Sequence, residues 1–283
     1  VTVVDAANFL KDFGSWDDLN DRNMGLSDED ERNIVDLLVD QVEFANVIIV
    51  NKTDLVSQEQ VDLIKKIISQ LNSSALVLES TKSRVSLDKI LGTGKFKLDE
   101  AQDLSSDWLA IPRGEEETET EEYGISNFLF RSDRPFHPQR IWNAIGEDME
   151  AGLFKGVLRS KGIAWIASRH DWAYNWSQAG CSVLLDPAGF WWASAPKESW
   201  PEEAEVIAEI EARMIHEYGD RQQELVFIGQ NLDQEHVTQV LNDCLLTDEE
   251  YELGPGSWEH FQDPMPPIEV EEDYLESEYP TEE

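Results

Sequence analysis

Asn46-Val47-Ile48-Ile49-Val50-Asn51-Lys52-Thr53-Asp54-Leu55 is the stretch on which the reading of this chain turns. Residues 47–50 form an uninterrupted aliphatic run, the pattern of a strand covered on both faces in a parallel sheet. A polar loop, Asn51-Lys52-Thr53-Asp54, follows directly. At the carboxyl end of a parallel strand such a loop faces the crevice where doubly wound folds bind ligands. Asp54, ionised and acceptor-only, can take the N1 and N2 hydrogens of guanine as a bidentate pair. Adenine lacks both donors on that edge and would leave the carboxylate unpaired, so the loop discriminates as well as attracts. Asn51 can bond N7 or brace the loop, and the Lys52 stem can lie along the purine face. The competing reading is a polar strand-end turn with no ligand.

Outward from this loop the pattern repeats. Val1-Thr2-Val3-Val4 and Ala75-Leu76-Val77-Leu78 read as two more buried strands. Helical stripes fill the gaps. Ser27 is the expected N-cap of one, with Ile34, Leu37, Leu38, Val42 and Ala45 at helical spacing. Ser57 and Gln60 make a capping-box pattern for the other, continued by Val61, Ile64, Ile68 and Leu71 and ended by Asn72. Strand, helix, strand, helix, strand predicts a doubly wound parallel α/β sheet. Because the first strand opens the sequence with no methionine before it, the chain is expected to begin inside a domain. A second base-contacting segment is expected at Glu79-Ser80-Thr81-Lys82, after the third strand, where backbone N–H groups could reach guanine O6. A Ser-Thr turn after a strand is common, so Ser80 and Thr81 carry a softer signal.

A nucleotide triphosphatase of this kind needs a Gly-rich loop ending in Gly-Lys-Ser/Thr to cradle phosphates and magnesium. No such loop occurs in the 283 residues. Gly92-Thr93-Gly94-Lys95-Phe96 is a decoy: phenylalanine stands where the hydroxyl should, and no strand leads into it. The chain on its own is therefore not expected to hydrolyse GTP, and no catalytic residue is assigned.

Beyond residue 100 the texture changes. Residues 115–122 are glutamate broken only by two threonines, a composition that cannot bury a core, and residues 101–122 read as an acidic linker. Strand-like stretches follow at 124–131, 156–167, 181–185 and 224–228, with helices opening near Pro138 and spanning about 202–217 and 235–245. Strands and helices mix without alternation, which predicts a smaller α+β domain over 123–250. From Gly254 prolines and acids dominate, and residues 251–283 read as a mobile tail.

Lys+Arg 22 against Asp+Glu 59 gives a net charge of −37, which repels phosphate backbones and anionic lipid, so nucleic acid and membrane surfaces are not expected partners. No apolar run reaches the roughly 18–20 residues of a membrane helix, and a cytoplasmic protein is expected. Cys181 and Cys244 lie far apart and match neither a disulfide framework nor zinc-ligand spacing; both read as reduced thiols.

At this point the motifs carry a family resemblance. Val3-Val4-Asp5-Ala6, Asn8-Phe9-Leu10, the run from Leu37 through Ala45, and Asn51-Lys52-Thr53-Asp54-Leu55 resemble the CobW-type GTPases, a group of metal chaperones. The second half agrees: Arg134-Pro135-Phe136-His137-Pro138-Gln139-Arg140, Leu158-Arg159-Ser160-Lys161-Gly162, Trp191-Trp192 and Val226-Phe227-Ile228-Gly229-Gln230 resemble the CobW C-terminal domain. The resemblance implies that residues 1–100 are the second half of a P-loop-type G domain whose phosphate loop, metal motif and magnesium-associated acid lie upstream. For a complete protein it implies GTP and Mg2+ as cofactors, zinc as cargo, and a metal-requiring client as partner. The alternative is a non-catalytic module that docks clients or a separate nucleotide-binding subunit.

Three further expectations concern the second half. His137, among prolines and aromatics at a helix start, reads as a capping or packing histidine, and no metal ligand is assigned. Arg159 and Lys161 project from one strand face, either solvated or as a basic spot toward the acidic G domain or a client. The tryptophans between Trp142 and Trp200 are mostly core, with a concave aromatic sheet left to face a partner. With a solvated strap between them, the two halves are expected to move relative to each other, and the Arg159 and Lys161 surface to bind the client.

Overall fold

The computed structural model describes residues 1–13, 34–95, 124–146, 152–180, 182–201, 203–214 and 216–268. The expected start of the first helix at Ser27, the acidic linker and the last residues of the chain lie outside the described residues.

The first half is a parallel sheet in the order β1-β2-β3, built from β1 (Thr2–Asp5), β2 (Val47–Asn51) and β3 (Leu76–Glu79). Helix α1 (Phe9–Phe13) follows β1, α2 (Ile34–Glu43) precedes β2, and α3 (Gln58–Leu71) joins β2 to β3. The aliphatic run of β2 is buried because strands pair on both its edges and helices cover its faces. Ser57 and Gln60 form the reciprocal capping box at the start of α3. Asn72 ends that helix and does more than stop it. Its side-chain amide donates to the carbonyls of Val42, Glu43 and Ala45 at 2.8–3.0 Å, satisfying the C-terminal end of α2.

The second half is a five-stranded antiparallel sheet in the order β4-β8-β5-β6-β7. Its strands are β4 (Ile125–Ser132), β5 (Val157–Trp165), β6 (Trp172–Ala179), β7 (Ser182–Phe190) and β8 (Gln223–Gln230). Helices α4 (Pro138–Ile145) and α6 (Gln234–Cys244) pack together over one face of it, and α5 (Ala204–Arg213) is mostly exposed. The chain is thus an α/β parallel sheet followed by an α+β domain. Strand β6 was not foreseen; its tryptophans Trp172 and Trp176 belong to a strand that pairs on both edges.

The surface expected of Arg159 and Lys161 is not there. Arg159 is 3% exposed, and its Nε donates to Glu43 Oε1 of α2 at 2.9 Å, while Lys161 pairs with the other Glu43 oxygen. Both basic residues face the first half, as one of the two alternatives held, and neither forms a client surface. The surrounding interface is apolar. Ile125, Ala179 and Ile228 of the second sheet share one buried cluster with Val4, Val35, Val42 and Ile68 of the first half. At Gly180 the backbone has φ +52, and a Cβ there would sit 3.0 Å from the Val35 side chain and 3.1 Å from the Phe13 carbonyl. Only glycine fits this close approach, which sets the halves against each other. The loosely strapped pair inferred from composition is replaced by a packed interface, so client binding is not assigned to these residues.

Composition also misled at the end of the chain. Helices α7 (Asp248–Glu252) and α8 (Pro255–Trp258) follow α6, and Trp258 is fully buried. It joins Trp165, Trp191 and Leu246 in a third cluster, with His170, Tyr218 and Tyr251 against it. Arg169 fastens the next turn through Asp263, with Nε to Oδ2 at 2.7 Å. Residues up to 268 are therefore part of the domain surface and core. Trp165, Trp176 and Trp258 are among the largest fully buried side chains, which leaves no concave aromatic face at Trp165.

His170 makes this third cluster sensitive to acid. Burial, followed by the nearby Arg221 charge, lowers its pKa from 6.5 to about 4, and its Nδ1 is buried without a hydrogen-bond partner among the described residues. A histidine held neutral in the fold costs stability as pH falls, because the unfolded chain takes the proton first. The loss begins near the unfolded pKa of 6.5 and levels off near 4. Discounted for its remaining solvent contact, it amounts to about 2 kcal/mol. Urea midpoints at pH 7 and pH 4.5 should therefore draw together when His170→Phe replaces the imidazole; an unchanged pH dependence in that variant would exclude His170 as the cause.

Candidate nucleotide site

Residues 51–54 sit at the carboxyl end of β2, and Lys52 adopts the left-handed conformation with φ 62, turning the chain into a short 3-10 turn over Thr53–Leu55. The segment after β3 is joined to it by four hydrogen bonds. Ser80 N–H donates to Val50 O at 2.8 Å, continuing the ladder past the strand. Thr53 donates to Ser80 O through both its N–H, at 3.3 Å, and its hydroxyl, at 3.2 Å. Asn51 Oδ1 accepts from Ser83 N–H at 2.7 Å. Asn51 therefore braces the two loops, the second of the roles open to it from sequence. Thr81 lies alongside, its hydroxyl 3.4 Å from that of Thr53. The five residues Asn51, Lys52, Asp54, Ser80 and Thr81 are thus on one edge of the sheet, on loops that hold each other in place.

One participant was missed. Asp5 ends β1 in register with Asn51, and its Oδ2 accepts from Lys52 Nζ at 2.6 Å and from Asn8 Nδ2 at 2.8 Å. Its Oδ1 accepts from Ala7 N–H at 3.0 Å. Burial works to raise the Asp5 pKa, but the bonds from Lys52, Asn8 and Ala7 outweigh it and the carboxyl is held below its usual range. Asp5 stays ionised and fixes the Lys52 ammonium, which aligns the lysine stem across the loop. The available signal was topological: ends of adjacent parallel strands converge on the same crevice.

Asp54 presents an exposed carboxylate, whereas Ser80 is 4% exposed with its hydroxyl unpartnered among the described residues. Phosphate and metal are a different matter. The Gly92 to Lys95 stretch has positive φ at Gly92 and Gly94 and follows a 3-10 turn, not a strand. Among the described residues no group of three His, Cys, Asp or Glu is placed to hold a metal ion. His137 caps α4, its ring nitrogen accepting from Gln139 N–H at 3.2 Å while the ring stacks on Phe261. Burial, then the Arg140 charge, lowers its pKa. Cys244 is buried and Cys181 lies outside the described residues. No helix among the described residues is long and apolar enough to cross a membrane.

A parallel sheet with two interlocked polar loops at its carboxyl end, packed against a separate antiparallel-sheet domain, is the arrangement of a CobW-type protein. Residues 1–79 match the CobW/HypB/UreG nucleotide-binding domain and residues 125–245 match the cobalamin synthesis protein cobW C-terminal domain; the chain belongs to this family. It is 42% identical over 266 residues to the zinc-regulated GTPase metalloprotein activator 1 of Dictyostelium discoideum, covering 94% of this chain and 55% of that protein. A zinc chaperone of Mycobacterium tuberculosis is 31% identical over 137 residues, 48% of this chain and 33% of its own length. The chain thus spans about half the length of the first relative and a third of the second. Among solved structures, the Zn(II)-bound YjiA GTPase of E. coli aligns over 86% of this chain and 59% of its own, at 18% identity and a TM-score of 0.37.

Proposed function

We propose that this chain supplies the base-recognising part of a guanine-nucleotide site in a cytoplasmic GTP-binding metal chaperone, with zinc as cargo and a metal-requiring protein as client. The observation that supports it is the pair of loops locked by Asn51 and Thr53, with Lys52 held by Asp5 and Asp54 left exposed. In this reading Asp54 accepts the N1 and N2 hydrogens of guanine, the Lys52 stem covers the ring, and the turn at Ser80 and Thr81 meets O6. Magnesium and phosphate chemistry require a loop ending in Gly-Lys-Ser/Thr, which the 283 residues do not contain. The residues present fit the base and not the phosphates, so no hydrolytic step is derived from them. The names of the relatives, a zinc-regulated GTPase metalloprotein activator and a zinc chaperone, support the choice of nucleotide and metal.

Base choice tests the reading. Asp54→Asn exchanges an acceptor for a donor and should weaken guanine-nucleotide binding by about 2–4 kcal/mol, while improving xanthosine nucleotide, whose edge carries a carbonyl at that position. Equilibrium titration of both diphosphates against both proteins gives the ratio; an unchanged preference would remove Asp54 from the site. A second reading, a non-catalytic interaction module, is favoured by the absent phosphate loop. Multiple-turnover phosphate release by the purified chain would exclude that second reading.

A further inference from the structure

In a chain of net charge −37, the segment directly after the Ser80-Thr81 turn is basic. Lys82, Arg84, Lys89 and Lys95 stand against one acid, Asp88, between residues 82 and 95, and all four basic side chains belong to exposed residues. None of them forms an ion pair with another described residue. The one acid is already engaged by the Ser86 hydroxyl. Among these charges stand large apolar side chains in water: Leu87 and Leu91 are each 64% exposed. Leu91 N–H donates to Leu87 O at 2.8 Å, so one turn of helix sets the two leucines on the same face. Leu55, also 64% exposed, extends from the neighbouring loop to which this segment is bonded. Single exposed leucines need no explanation, but three of them beside four cations that pair with no described residue call for one.

The surface is also preshaped and accessible. Lys82 and Ser83 both hold positive φ, at 54 and 52, with the second fixed by the bond from its N–H to Asn51. A partner therefore meets a formed turn and does not have to order it. The segment leaves β3, the outer strand of the parallel sheet on the side away from β1, so nothing that pairs with β1 would cover it.

We infer that residues 82–91, with Leu55, form a docking surface for an acidic segment of another protein that carries leucines or similar apolar side chains one helical turn apart. The carboxylates meet Lys82, Arg84 and Lys89, and the apolar side chains cover Leu87 and Leu91. Charge selects the partner, since almost everywhere else on this chain an acidic segment is repelled. The inference stands independently of the nucleotide reading, because it uses none of Asn51, Lys52, Asp54, Ser80 and Thr81; Lys82 only borders that segment.

The probe is a labelled synthetic peptide of glutamate and aspartate with two leucines four residues apart, titrated by fluorescence anisotropy against the whole chain. Binding to wild type is expected, falling with added salt. Lys82→Glu with Arg84→Glu and Lys89→Glu should weaken it by about tenfold, the sum of three exposed ion pairs. Leu87→Ser with Leu91→Ser should weaken it by a similar ~tenfold through lost apolar burial. Circular dichroism checks that each variant is folded, and Leu91→Ala, expected to weaken binding by about threefold, replaces the double variant if that one unfolds. Equal affinity for wild type and variants, or no binding to wild type, overturns the proposal. So does binding that appears only after residues 269–283 are removed, which would give the surface to the chain's own acidic terminus. Self-association abolished by the leucine substitutions would give it to a second copy and likewise overturn the proposal.

Discussion

Glu43→Ala should lower the stability of the chain by about 3–5 kcal/mol, the cost of leaving a buried cation without its counter-ion. Glu43 ends α2 and is 6% exposed; Arg159, on β5, is 3% exposed and meets it at 2.9 Å. The guanidinium cannot leave when the carboxylate is removed, because it also donates to Ser177 Oγ and Gln178 O at 2.9 Å each. Nor can it deprotonate. Lys161 responds differently. Burial, then Arg159, lowers its pKa, and Glu43 is the strongest group opposing that shift, so without Glu43 the ammonium gives up its charge more readily. The main penalty therefore falls on Arg159. Urea unfolding followed by tryptophan fluorescence measures it. Glu43→Gln, which keeps the shape and loses the charge, should cost less than alanine but remain destabilising. A joint replacement, Glu43→Leu with Arg159→Met, should recover most of the loss, because a well-packed apolar pair can match a buried ion pair. A cost below about 1 kcal/mol for Glu43→Ala would show that water reaches the pair and that the interface rests on its apolar contacts alone.

The same pair shows what a sequence can and cannot yield. Alternation along β5 placed Arg159 and Lys161 on one face, and they do share a partner. What alternation could not supply was Glu43, 116 residues earlier in the chain, because no local pattern encodes which distant face a strand covers. Signals that are local in the structure were legible. The aliphatic run of β2, the capping box at Ser57 and Gln60, and the stop at Asn72 each depend on neighbours within four residues, and each is present. Asn51, Lys52, Asp54, Ser80 and Thr81 could be placed at strand ends for the same reason. Asp5 could not, since its role depends on which strand lies next to β2. Strand β6 was hidden by its composition: Trp172-Ala173-Tyr174-Asn175-Trp176-Ser177-Gln178 mixes aromatic and polar residues, so no aliphatic run marks it, although Tyr174 and Trp176 are core, as most of the aromatic residues were expected to be. The end of the domain was hidden in the same way, its prolines and acids masking one tryptophan that the core requires.

That tryptophan carries the second large effect. Trp258→Ala should cost about 3–5 kcal/mol, in the range of buried aromatic truncations. The ring is fully buried in α8, a single turn opened by Gly254 at φ 74, and its centroid lies 5.3–6.1 Å from those of Tyr218, Tyr251, His170 and Trp165. Four rings lose contact at once, and a void lined by rigid aromatics closes poorly. The substitution also removes the donor that satisfies Glu250 O, since Trp258 Nε1 reaches it at 2.7 Å. Trp258→Phe keeps most of the ring and loses that bond, and should cost only about 1–2 kcal/mol by comparison. Leu253→Ala, at a residue 57% exposed and five positions earlier, is the control and should change stability by less than about 0.5 kcal/mol. Thermal and urea unfolding of the three variants rank the effects. If Trp258→Ala matched the Leu253→Ala control, residues 253–268 would be a detachable end, as their composition suggests; a loss near that of a core residue makes them part of the fold that holds the second sheet together.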